Sequence, residues 1–117
     1  MQWLPDVYYF LGGIFLTNAV PHFVNGVSGR PFQSPFANPP GRGLSSSTAN
    51  VIWGSINAVA GYALLCLTGG EFSFKNTNDI VALGLGIFLS ALFLARYFGR
   101  FHGGNAPNKS DSPEGKA

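Results

Sequence analysis

The residues able to do chemistry in this chain are few, and they cluster. Asn18, His22 and Asn25 recur at i, i+4 and i+7 inside an uncharged apolar run, so a helix would carry all three on one face. Asn50 and Asn57 stand in a second apolar run, interleaved with Gly54 and Gly61, again on one helical face. Between the two runs the only formal charges are Arg30 and Arg42. Imidazole and carboxamide groups donate and accept hydrogen bonds, and a guanidinium beside them attracts anions. The chemistry this set suits is the binding of a small molecule or lipid at His22, Asn25, Asn50 and Asn57, with Arg30 or Arg42 drawing an anionic group. The competing reading is as physical. Carboxamide and imidazole side chains also tie membrane helices together, each bond contributing about 0.6 to 2 kcal/mol. On that reading a neutral His22 bonded to Asn57 is a structural contact.

Patterns that would announce catalysis are absent from the sequence. It has no HExxH, no CxxC and no phosphate-binding loop, and no catalytic residue is assigned. No Asp or Glu lies inside an apolar run, which disfavours a proton-coupled transporter. The single cysteine, Cys66, can form neither an internal disulfide nor a cysteine-based metal site, and it reads as a buried small hydrophobe. His22 and His102 lie at different depths, which argues against a pair of axial haem ligands. No metal and no cofactor are expected. An enzyme survives only as a third reading, with His22 as base toward a membrane substrate.

The elements that must position these groups are membrane helices. Charged residues make up 10% of the 117 residues and hydrophobic ones 46%. A soluble domain carries about 25% charged residues. The apolar residues are gathered into three runs, about 7–27, 51–68 and 80–97, each long enough to span a bilayer as a helix. The expected fold is therefore an all-α membrane protein of three transmembrane helices. Pro5 and Asp6 suit the start of the first helix, and Trp3, Tyr8 and Tyr9 suit an interfacial belt. The start MQWLPDVYYF lacks the basic region of a signal peptide, so the first run is expected to stay in the mature protein. Pro21 inside that run predicts a kink, with Thr17 or Asn18 serving the freed carbonyl.

Pro31, Pro35, Pro39 and Pro40 forbid a regular helix between the first two runs, so this connection is expected to be extended or turned and folded back on the bundle. Phe32 and Phe36 in it are apolar enough for the interface. Ser45 to Thr48 offer N-caps for the second helix, Gly69 and Gly70 stop it, and Asn78 or Asp79 would cap the third. The polar stretch 103–117, rich in Gly, Pro and Ser, is expected to be a disordered tail. Small residues Gly54 and Gly61 on the second helix, and Ala82, Gly86 and Ser90 on the third, form stripes that predict close packing of these two helices. At about 1.5 Å per residue, His22, Asn57 and Ser90 fall at similar depth and form an expected polar layer, and Asn18 is an expected helix-packing residue.

Orientation follows from basic residues. Arg30, Arg42, Arg96, Arg100, Lys109 and Lys116 fall on one side of a three-span protein, and only Lys75 on the other. The expectation is an N-terminus outside, with the proline-rich loop and the C-terminus in the cytoplasm. The basic residues form no nucleic-acid patch, and no nucleic-acid partner is expected.

The run from Pro21 to Tyr62, PHFVNGVSGRPFQSPFANPPGRGLSSSTANVIWGSINAVAGY, resembles a pattern found in small uncharacterised bacterial integral membrane proteins. The resemblance covers the middle third of the chain and implies a bacterial inner-membrane location, without bringing an activity. The expected function is a non-enzymatic subunit of a membrane complex or a homo-oligomeric scaffold embedded in the lipid bilayer. The alternative is a small-molecule or lipid-binding transporter or channel built on the His22 cluster.

Overall fold

The computed structural model describes residues 3–68 and 70–110. Its order is α1 (Leu4–Val27), β1 (Phe32–Gln33), β2 (Leu44–Ser45), α2 (Ser47–Ala63, continued by a π-helical turn Leu64–Thr68), α3 (Thr77–His102) and a short α4 (Pro107–Ser110). Three helices, Leu4–Val27, Ser47–Thr68 and Thr77–His102, are long and apolar enough to cross a membrane. The chain is thus built as a multi-pass membrane protein.

Each helix outruns its apolar run because the flanking residues cap it. Pro5 and Asp6 occupy the first turn of α1. Ser46 caps α2, its side chain accepting the Ala49 N–H at 3.1 Å. Asn76 caps α3, ahead of the expected Asn78 or Asp79, and accepts from the N–H groups of both of those residues. Asp79 is instead turned back to accept the Ser73 N–H at 3.0 Å, and it is buried. At its other end α3 runs on to His102 and stops at Gly103, whose φ of 72° is the left-handed conformation that ends helices.

The arrangement of the helices departs from the small-residue expectation. The stripes on α2 and α3 do not meet each other; α1 lies between them and packs along both. A methyl group at Gly54 would stand 2.7 Å from the Phe23 backbone nitrogen, and one at Gly61 2.6 Å from Leu16 Cγ, both on α1. On the other flank of α1, a methyl at Gly86 would collide with the Phe10 carbonyl, and one at Gly13 would lie 2.6 Å from the Leu83 carbonyl. Ala82 and Gly86 are buried by this contact. The reason is visible in α1 itself, which carries Gly12, Gly13, Ala19 and Gly26 as buried small residues and so offers two close-packing faces where a larger helix offers none.

The proline-rich connection is not featureless. Phe32 and Gln33 pair antiparallel with Ser45 and Leu44, and the residues between them form a tight turn. Phe32 is buried in the core, while Phe36 is exposed and sits edge-on to Trp53. The loop is fastened to the end of α3. Tyr97 donates its hydroxyl hydrogen to the Gly41 carbonyl at 2.7 Å, and His102 stacks on Phe32 with ring centroids 5.1 Å apart. The loop and the C-terminal end of α3 therefore share one end of the bundle, carrying Arg30, Arg42, Arg96 and Arg100. At the opposite end Tyr9 packs against Phe72, which packs against Phe74. Tyr9 is buried there, not spread along an interface.

Two smaller expectations change. Cys66 is exposed, on the π-helical turn in which none of the residues is buried. Of the expected disordered tail, residues 103–110 form a turn and the short α4, and 111–117 lie outside the described residues.

Candidate functional site

The site is built where the loop meets α1 and α2. Asn50 opens the second turn of α2 and is completely buried. Its Nδ2 donates to the carbonyls of Phe32 (3.2 Å), Ser45 (3.2 Å) and Ser46 (3.0 Å). Carbonyls only accept, so these three contacts fix which end of the carboxamide is nitrogen. Oδ1 must then face His22, and it accepts from His22 Nδ1 at 2.8 Å. Nδ1 therefore carries hydrogen whatever the protonation of the ring. Nε2 is left without a hydrogen-bond partner among the described residues. One Asn side chain thus sets the position of the loop and the tautomer of a buried histidine.

His22 is walled by aromatic rings, edge-on to Phe32 (5.6 Å), Phe98 (5.9 Å) and Trp53 (6.3 Å between centroids). Phe32 touches both His22 and His102, and His102 Nε2 is bonded to Gln33 Oε1 at 2.9 Å. The two imidazoles are thus engaged with Asn50 and Gln33 on either side of a phenyl ring. Beneath the loop is a chamber of about 340 Å³ that His22, Gln33, Ser34, Trp53 and Tyr97 help to line. Gln33 and Ser34 are buried, and the indole N–H of Trp53 is a buried donor with no partner.

The expected polar layer splits in two. His22 pairs with Asn50 rather than Asn57. Asn57 instead accepts from Asn18 Nδ2 at 3.0 Å and donates to its own Trp53 carbonyl at 2.8 Å. Asn18, Asn57 and Ser90 border a second cavity of about 200 Å³, deeper toward the middle of the bundle. Ser90 does not join the asparagines; its hydroxyl donates to the Gly86 carbonyl of its own helix. Thr17 bonds the Gly13 carbonyl, so neither it nor Asn18 serves the carbonyl freed by Pro21. Asn25 donates to the Pro21 carbonyl at 2.7 Å and accepts from Arg30 Nε at 3.2 Å. Arg30 and Arg42 are exposed, and neither lines the chamber.

The structure therefore brings His22 and Asn50 into contact, places Asn57 with Asn18 nearer mid-bundle, and leaves Asn25, Arg30 and Arg42 outside. Sequence reasoning missed Gln33, Ser34, Trp53 and Tyr97 as site residues, and weighed His102 only as an axial haem ligand. Trp53 had a usable signal, since it falls between Asn50 and Asn57 on the same face of α2. Gln33 and His102 had none, because they meet across a long separation in the chain. Comparison with family models, curated proteins and solved structures finds no match.

Proposed function

We propose that this chain is a non-enzymatic multi-pass protein of the bacterial inner membrane that acts as a subunit of a larger assembly or as an oligomeric scaffold. The observation that carries this reading is an apolar groove of about 650 Å³ between α1 and α3. Leu16 and Val20 form one wall, Ile87 the other, and Ala91 and Ala95 the floor. Gly84 extends the same face of α3 and has nothing within 4 Å of where a side chain would begin. Only 11% of the most apolar stretch of α3 is buried within the chain. Small residues left uncovered beside an apolar wall let a second helix approach closely. Asn18, Asn25, Asn50 and Asn57 are all engaged in bonds that hold this chain's own helices and loop, which supports a structural role for them.

In this reading the N-terminus is outside, and the proline-rich loop and the C-terminal residues 103–117 are cytoplasmic, because the loop end collects the basic residues. Residues 1–102 form one membrane domain, and α1 bends at Pro21 where a backbone donor is missing. Native mass spectrometry of the purified chain tests the assembly. The expected result is a multimer or a co-purifying partner. A monodisperse monomer in mild detergent and in bilayers, with nothing attached, refutes it. A C-terminal reporter active only outside the cytoplasm would refute the orientation.

A further inference from the structure

Because α2 and α3 both pack on α1 and not on each other, a cleft opens between them on the side opposite the apolar groove. Its loop end is the His22 chamber, and its inner end is the smaller cavity beside Ser90. Asn18, Phe93 and Leu94 border both cavities, so the two adjoin along α3. Polarity changes along it. At the loop end His22 Nε2 has no hydrogen-bond partner among the described residues and offers an acceptor. At the inner end Asn18 is paired with Asn57 and Ser90 with its own backbone, so Ile14, Phe15, Phe93 and Leu94 present apolar surface. Among the described residues, no Asp, Glu, Lys or Arg lines either cavity.

From this gradient we propose that the cleft binds a neutral, single-chain amphiphile with a hydroxyl-bearing head. The head lies under the proline-rich loop and the chain points toward the middle of the bilayer. A hydroxyl matches this acceptor, since it donates to His22 Nε2. A charged head is excluded because it would be buried without a counter-charge. A two-chain lipid is excluded by width, since the inner cavity holds only about 200 Å³. The seven helical steps from Ser90 to Tyr97 give the adjoining cavities a length of roughly 10 Å, enough for the first part of one acyl chain. The site is independent of the assembly groove, from which Leu94 and Phe98 separate it as a ridge bordering both.

The test uses the full-length chain in detergent, titrated with monoolein, methyl oleate or oleate and read by native mass spectrometry. Monoolein has the neutral hydroxyl head, methyl oleate lacks the hydroxyl, and oleate is charged. The expected result is saturable one-to-one uptake of monoolein, with each comparator at least tenfold weaker. His22→Phe removes the Nε2 acceptor and keeps an aromatic ring there, so it should weaken monoolein roughly fivefold to tenfold, the worth of one hydrogen bond, and leave methyl oleate unchanged. Ser90→Phe should fill the inner channel and abolish uptake. Equal uptake of all three probes, or uptake unchanged in both variants, overturns the proposal. So does a dimer that fills the cleft with a second copy and takes up no monoolein.

Discussion

Replacing Asn50 by Leu removes the donor that holds the loop while keeping the branched outline of the side chain. The loss can be worked bond by bond. Nδ2 has two hydrogens for three carbonyls, so one of its contacts is shared. The Ser46 carbonyl also accepts the Asn50 backbone N–H at 3.1 Å and keeps a partner in the variant. The Phe32 carbonyl, the Ser45 carbonyl and the His22 Nδ1 hydrogen lose the Asn50 side chain. At about 1 kcal/mol each, the cost is about 3 kcal/mol, and more if the stranded groups stay dry. It falls on local opening of the loop before it falls on the helices.

Trypsin reads that opening at Arg42, whose neighbours Gly41 and Gly43 are held by Tyr97 and by packing on Asn38. Arg30 precedes Pro31 and resists the enzyme. An opening equilibrium shifted by about 3 kcal/mol accelerates cleavage about a hundredfold. Asn50→Asp is the informative companion, because it keeps the shape and the acceptor but loses the donors, and it should be no milder than Asn50→Leu. Acceleration below threefold in Asn50→Leu, or a well-tolerated Asn50→Asp, would refute both the clamp and the amide orientation from which the His22 tautomer follows.

Other outcomes follow from the packing. Gly86→Leu should push α3 off α1 and cost on the order of 1–3 kcal/mol or more in a detergent unfolding titration, because even a methyl there meets the Phe10 carbonyl. Gly84→Ala, two residues away and facing open space, should be neutral or stabilise by up to about 1 kcal/mol in the same titration. Tyr97→Phe removes the bond to Gly41 and should speed Arg42 cleavage about fivefold. His102→Ala removes both the stack on Phe32 and the bond to Gln33, so its effect on the same cleavage should exceed that of Tyr97→Phe.

What the sequence determines by itself is everything set by local and compositional physics. Three runs of apolar residues with few charges can be satisfied only as helices in lipid, and the flanking Pro5, Ser46 and Gly103 are of the types that begin or end them. The helical periodicity also collected Asn50, Gly54, Asn57 and Gly61 on one buried face before any partner was known. Periodicity says which residues share a face, however, and not which helix that face meets. Matched depth put His22 with Asn57, but the tertiary structure gave it Asn50. The loop turns back over the bundle end, and only Asn50 lies close enough to reach the Phe32 and Ser45 carbonyls as well. The central place of α1, with α2 and α3 apart, depended on small residues on two faces of one helix, which no single stripe reveals. The unspent groups of His22 and Trp53 are likewise a tertiary result. Whether a donor is satisfied depends on every atom around it, and most of those atoms come from distant parts of the chain.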